Sequence, residues 1–467
     1  MNREQIVACA ALVVLAIAPA CHPRAGAGAV RPLRADEAEI AVYLEPFPAT
    51  PLVLEFDSVA AARREGAPVP LEVKLPVASS ETAPRQRLLA VGRLPAGSFT
   101  ALLVGVRRAR VASGDLALPG GPVVTVPIDL VASPGRGEVI LVGLRDAAVA
   151  DRALLDPAAL VGRRPERPAP PLLGLCSVQD LESVMVFDRR ARGVVGLLPT
   201  LPDPREVALD EARQVAYVAS AGGNRIHAFD LATFEELAPT RLRVGDRPVS
   251  LGLSPDGTTL VVAESGSESL SFVDPLGGQE QQRVAVHGEP VQVVLDRTGL
   301  RAFVVLRSEA AVAMVDVAAR TVVRTIPVEE QPVRALVSPA GDRLIVAHAL
   351  APFLTVYALP AGTPLQRIFA GPGVKALLRE PATGLLVVAA SDARLQLYDD
   401  ARLLPVGSVD LPAAATRLAA DRAEGTLLAL MPTRGSVAVV DVRSRRVRAE
   451  IEVGPGPREL AVPGTER

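Results

Sequence analysis

The sequence predicts an all-β chain, and three observations carry that prediction. One phrase recurs: Ser183–Asp188, Ser-Val-Met-Val-Phe-Asp, has six further copies, and the set closes at Asp188, Asp230, Asp274, Asp316, Ala358, Asp399 and Asp441, a period of about 42 residues. Each copy lies in a unit of short apolar runs separated by turn chemistry. From Pro248 the runs are Val249–Leu253, Thr259–Ala263, Leu270–Asp274 and one ending at Val286, with Ser254-Pro255-Asp256-Gly257 as the first turn. Pro presets φ in such a turn and Gly supplies a positive φ, while no segment sustains a helical period. Finally, the two ends of the array are complementary. Four strands per period is the pattern of one blade of a β-propeller.

Inner strands open near Pro204, Pro248, Pro290, Pro332, Gly373, Ala415 and Pro457. Second strands read as Leu172–Ser177, Val215–Ser220, Thr259–Ala263, Arg301–Arg307, Arg343–Ala349, Leu385–Ser391 and Leu427–Pro432. The first of these has no inner strand before it, and the last inner strand, Arg458–Val462, has nothing after it. The C-terminal strand is therefore expected to complete the first blade and close a seven-bladed ring over residues 172–467, which leaves no long sheet edge open.

The repeat resembles the YVTN-type bacterial propellers of the surface-layer and lactonase-like superfamily. The shared signature is a Pro, an inner strand, a Ser-Pro-Asp-Gly turn and an apolar strand ending near Ala. It stands at Pro248–Ala263 and at Pro332–Ala347, where the turn reads Ser338-Pro339-Ala340-Gly341, and it departs at Pro290–Val305, where the turn reads Asp296-Arg297-Thr298-Gly299. The resemblance runs from Leu172 to the C-terminus and implies a fold, not an activity. The lactonase-like relatives use a few polar residues on the central face, and none of these maps onto this chain residue by residue. With no Trp in the chain, the Trp-Asp ending of WD40 blades is absent.

Ahead of the repeats the chain divides into four segments. Residues 1–20 read as an export signal: Arg3 supplies the positive end, and Ile6–Ala18 is an apolar core too short to span a bilayer. The end, Ala18-Pro19-Ala20-Cys21, fits an Ala-x-Ala cleavage site and also resembles a lipobox, in which Cys21 becomes the lipid attachment and the membrane contact. Residues 21–36 read as a tether rich in Pro, Gly, Ala and Arg. Residues 37–145 form an N-terminal β-sandwich of Ig-like or transthyretin-like character, with strands at Ile40–Leu44, Leu52–Phe56, Leu71–Leu75, Leu88–Val91, Phe99–Val104, Val123–Leu130 and Glu138–Val142. Residues 146–171 read as a Pro-rich linker, with a short helix capped at Asp156-Pro157.

Composition then limits function. Fifty Lys+Arg stand against 52 Asp+Glu, which gives no bulk attraction to nucleic acid or anionic lipid. Aromatics are 3% of the chain, which argues against stacking platforms for bases or sugars. Of the three cysteines, only Cys176 lies in a folded strand, so it reads as a small buried hydrophobe and no disulfide framework is expected. Cys-x-x-Cys-His, Gly-x-Ser-x-Gly, Walker, His-Glu-x-x-His and EF-hand motifs do not occur, so no catalytic residue, metal site or cofactor is assigned.

Propeller ligands usually meet the face where inner strands begin. The loops reaching that face supply the candidate binding residues Asp246, Arg247, Glu264, His287, Glu289 and His348. Both signs of charge occur there, so no strong electrostatic funnel is expected. His227 reads as a packed strand residue, and the Asp that ends six of the third strands reads as an Asx-turn acceptor. These features favour an exported, lipid-anchored, non-catalytic binding scaffold with a protein partner. The alternatives are a propeller hydrolase or lyase acting on a small polar molecule in the central funnel, and a structural surface-layer-like component.

Overall fold

The computed structural model describes residues 33–46, 52–81, 84–111, 114–118, 120–145, 155 and 158–464. The expected export signal, Cys21 and most of the tether lie outside the described residues, as does most of the helix expected near Asp156. No helix among the described residues is long and apolar enough to cross a membrane.

Residues 37–163 build ten strands: β1 (Glu37–Leu44), β2 (Leu52–Ala62), β3 (Val69–Val73), β4 (Val77–Ser79), β5 (Arg87–Pro95), β6 (Gly97–Val111), β7 (Gly114–Asp115), β8 (Val123–Ala132), β9 (Gly137–Leu144) and β10 (Leu160–Arg163). They form one curled sheet, a half-barrel, in the order β10-β9-β1-β5-β3-β2-β6-β7, with β4 on β2 and β8 on β6. Strand β3 joins the two halves because it pairs with both β2 and β5. The halves face each other across a core that includes Ile40, Val42, Leu54, Phe56, Leu102, Val104, Val126 and Ile140. All seven strands expected for the sandwich are present. The stretch expected as linker is less free than its proline content implied. Leu160–Arg163 pairs antiparallel with β9, and the Arg167 guanidinium stacks 4.6 Å from the Phe234 ring and donates to the Thr233 carbonyl.

Every residue of β1 is buried, and the alternation of side chains along a strand explains why. Ala38, Ile40, Val42 and Leu44 enter the core of the half-barrel. Ala41 and Tyr43 point the other way, into a second core shared with Met185, Phe187, Leu428, Leu430 and Ile451 of the repeats. The half-barrel is thus packed against the ring by an apolar seam.

The repeats form seven four-stranded blades, with strands a to d from the centre outward. The inner strands are Pro204–Asp210 in blade 2, Pro248–Leu253 in blade 3, Pro290–Leu295 in blade 4, Pro332–Val337 in blade 5, Ala376–Glu380 in blade 6 and Arg417–Asp421 in blade 7. Blade 1 takes its inner strand, Pro457–Ala461, from the C-terminus and the other three from Leu173–Val178, Ser183–Asp188 and Gly193–Pro199. The closing ladder pairs Leu175 with Ala461 and Cys176 with Leu460. The guanidinium of Arg189 fastens the same joint by pairing with Asp421 of blade 7 and donating to the Leu172 and Pro171 carbonyls. Cys176 is buried and unbonded to any other cysteine.

Turn chemistry repeats with the blades. The carboxylates of Asp188, Asp230, Asp274, Asp316, Asp399 and Asp441 each accept a backbone N–H from the turn that follows. In the Ser254–Gly257 turn, Ser254 Oγ donates to Asp256 (2.6 Å) and accepts from the Thr259 N–H (2.9 Å), while Gly257 takes a φ of +67°.

Candidate binding funnel

Ring closure gathers the starts of the inner strands around one mouth of the central channel. Lining up the blades from the first, the residue two places after each start is Glu459, Glu206, Ser250, Gln292, Arg334, Lys375 and Arg417. The mouth opens into a cavity of about 500 Å³. Its wall carries the cations Arg205, Arg247, Arg307, Arg334, Lys375, Arg417 and Arg458 against the acids Glu206, Glu289 and Glu459. Positive charge dominates, contrary to the even balance expected from the loops. The loops do carry both signs; the surplus comes from the strand starts, which only the closed ring brings together.

Much of this charge is paired. Arg205 meets Asp203 at 2.8 Å, Arg307 meets Glu289 at 3.2 Å, and Arg417 meets Glu459 at 2.6 Å. Glu206 accepts from Ser250 Oγ and the Leu251 N–H, and Arg458 donates to Gln179. Arg334 differs: its guanidinium donates to its neighbour's carbonyl, Val333 O, at 3.2 Å. Among the described residues, no carboxylate forms an ion pair with Arg334, Lys375 or Arg247. Recession into the channel wall, with the Arg417 charge beside it, pushes Arg334 down to about 10, while Glu459 and Glu206 pull the other way. It therefore remains a cation at neutral pH.

Of the six expected binding residues, Arg247 and Glu289 line the funnel. Asp246 and Glu264 do not. They are locked inside blade 3 by Arg283, which forks onto Asp246 (2.7 Å twice), reaches Glu264 (3.0 Å) and also pairs with Glu280 (2.8 Å). Ser269 and Ser271 donate to Glu264, whose pKa burial raises against them. Burial also works to raise Asp246, yet Arg283 and Ser267 prevail and hold it below the usual carboxylate range. His348 is fully buried within blade 5, with Nδ1 3.3 Å from the Glu330 carbonyl, and burial lowers its pKa. His287 is exposed on its loop and is not part of the funnel wall. His227 packs as expected: its Nε2 accepts the Leu201 N–H (3.0 Å), so the proton sits on Nδ1 and goes to Glu236 (2.7 Å).

Residue type guided those choices, and it missed Arg334, Lys375 and Arg417. Their signal is positional: they recur 41 and 42 residues apart, near the inner-strand starts of three consecutive blades, 5, 6 and 7. Four valines, Val249, Val291, Val333 and Val374, fill the preceding column in blades 3 to 6 and line the same wall. The wall is therefore partly apolar and partly cationic. No Ser, Cys or His lining the wall is paired with a base; Ser250, which donates to Glu206, is fully buried and its Oγ also accepts the Val293 N–H, and no group of three or more His, Cys, Asp or Glu side chains is placed to hold a metal among the described residues. The other mouth holds a cavity of about 330 Å³ lined largely by Leu209, Leu251, Leu253, Leu295 and Leu336, and its Arg379 is already paired with Asp400 at 2.6 Å.

No protein-family model and no curated protein matches this chain. Solved structures do match it. Hydrazine synthase of Kuenenia stuttgartiensis aligns with a TM-score of 0.52 at 17% identity, over 60% of this chain and 97% of that one. A functionally unknown protein from Desulfotomaculum acetoxidans aligns at 0.56 and 12% identity, over 62% and 98%. The dihydro-heme d1 dehydrogenase NirN, in complex with DHE, aligns at 0.50 and 15% identity, over 63% of this chain and 66% of that one. At these identities the likeness establishes the propeller fold, and a fold shared by such different proteins does not select among functions.

Proposed function

We propose that this protein is a YVTN-type, exported and lipid-anchored scaffold of the cell envelope, which binds a protein partner at the cationic mouth of its ring and does no chemistry there. Cys21, behind a short apolar leader, supplies the anchor, and the half-barrel stands between anchor and ring in the chain. The observation that carries the reading is the set of unpaired cations, Arg334, Lys375 and Arg247, on a wall without a paired nucleophile and base. A rigid ring presenting variable side chains on fixed strands is suited to recognition.

The test is site-specific photo-cross-linking in the cell envelope. Probes at Arg247 and Glu289 are expected to capture one discrete partner, and a probe at Arg297 on the opposite mouth is not. Equal capture from both mouths, or none from the first, would refute the reading. A second reading, a hydrolase or lyase for a small polar molecule, draws on the funnel's volume of about 500 Å³, which falls in the range of small-molecule pockets. Turnover of an ester or lactone panel that Arg334→Gln abolishes would establish it.

A further inference from the structure

We infer that the arc formed by Arg334 and Lys375, with the valines beside it, is a binding site for an organic carboxylate. The inference rests on the binding role proposed above and names the chemistry that the mouth recognises. Cations gathered on one wall repel one another, and three of the seven in this funnel have that repulsion relieved by a carboxylate of the protein itself: Arg205, Arg307 and Arg417. Arg334 and Lys375 line the wall from adjacent blades, and among the described residues neither forms an ion pair with a carboxylate. Burial holds Arg334 below its ordinary pKa, with the Arg417 charge adding to the shift and Glu459 and Glu206 opposing it only in part. A planar guanidinium and an ammonium on one cavity wall suit a two-oxygen anion, which can take the fork from one and a point charge from the other.

The rest of the wall narrows the anion. Val249, Val291, Val333 and Val374 offer hydrocarbon contact that inorganic phosphate cannot use. Glu206, Glu289 and Glu459 stand on the same wall and penalise densely charged anions. A carboxylate carried on a short carbon frame satisfies both constraints. The carboxylate has two sources, a free small acid or an acidic side chain at the tip of a partner polypeptide.

Isothermal titration of the soluble chain, residues 33–467, with succinate, with a tri-glutamate peptide and with inorganic phosphate separates these cases. Wild type is expected to bind succinate or the peptide more tightly than phosphate. Arg334→Gln and Lys375→Gln are each expected to weaken that binding at least about tenfold, the worth of one charge-assisted hydrogen bond. Arg394→Gln, which breaks an exposed pair with Asp410 and is not part of the funnel wall, is expected to leave it unchanged. Preference for succinate assigns the free acid, and preference for the peptide assigns the partner's side chain; either supports the site. Phosphate binding as tightly as both carboxylates, no carboxylate binding at all, or binding insensitive to both substitutions overturns it. Thermal melts showing that the variants stay folded keep these outcomes interpretable. If cross-linkers at Arg247 and Glu289 still capture a partner while no carboxylate binds, the carboxylate assignment falls and the scaffold reading stands.

Discussion

At the seam between the half-barrel and blades 1 and 7, Arg85 pairs with Glu450, Arg87 with Glu452 and Arg93 with Glu182 (3.3 Å). At the funnel mouth, Arg334, Lys375 and Arg247 have no such partner among the described residues. The seam's pairs flank an apolar contact built on Tyr43, Leu88, Leu141, Phe187 and Leu430, and they satisfy charges that packing would otherwise strand. The mouth has no packing to serve, and its surplus charge faces a cavity. The difference teaches how to read arginine in this chain. Where a carboxylate of the chain is supplied, as at the seam, the charge serves the fold; where it is left out, as at Arg334, the charge is the basis of the ligand-binding role proposed above.

The paired side of this contrast breaks hardest at the ring joint. Arg189 and Asp421 are both 1% exposed, so Asp421→Ala strands a buried guanidinium and is expected to cost about 3–5 kcal/mol in urea denaturation. Next comes the seam itself. Leu141→Ala removes a buried side chain between half-barrel and ring and is expected to cost roughly 2–5 kcal/mol. Half-barrel and ring should then melt in separate steps in calorimetry if the seam alone couples them.

A smaller effect sharpens the contrast by pH. Glu39 faces the seam beside Arg93 and Glu182, and burial raises its pKa from 4.5 to about 8. The folded state therefore holds a proton that the unfolded chain releases, and stability falls as pH rises from 4.5 to about 8. Glu39→Gln is expected to match wild type near pH 4 and to exceed it at pH 8. A wild-type denaturation midpoint that rises over that interval at the variant's expense would contradict the assignment. Smaller still is Tyr43→Phe: the buried hydroxyl of Tyr43 has no hydrogen-bond partner among the described residues, so its loss is expected to be neutral or slightly stabilising by the same assay.

The fold was largely legible because its signals are local and repeated. The Asp that closes six third strands caps the next turn in every case, so the feature that marks the period is also the one that shapes the blade. The complementary ends of the array foretold that the C-terminal strand completes the first blade, which it does by pairing with Leu173–Val178. The seam was less legible. The run Glu37–Leu44 reads as a strand in isolation, and its burial on both faces depends on the ring lying against it. The short β10 was hidden by proline-rich surroundings, although Leu160 and Val161 carry enough apolar surface to extend the edge of β9.

The site was legible only in part, for a geometric reason. Asp246, Glu264 and His348 drew notice as ionisable groups near the right loops, yet Arg283 claims the first two and burial encloses the third. Arg334, Lys375 and Arg417 are 41 and 42 residues apart along the chain and become neighbours only when the blades close. Reading down one column of the aligned repeats recovers them; reading along the chain does not.

The most direct measurement is the urea midpoint of Arg334→Gln set beside that of Glu450→Gln. Glu450 accepts from Arg434 (2.8 Å) and Ser436 (2.6 Å) while pairing across the seam with Arg85, so its substitution should lower the midpoint. Arg334→Gln should leave the midpoint at or above that of wild type, because it relieves repulsion and breaks no ion pair. A fall as large as that of Glu450→Gln would show that Arg334 serves the fold, and would contradict the account.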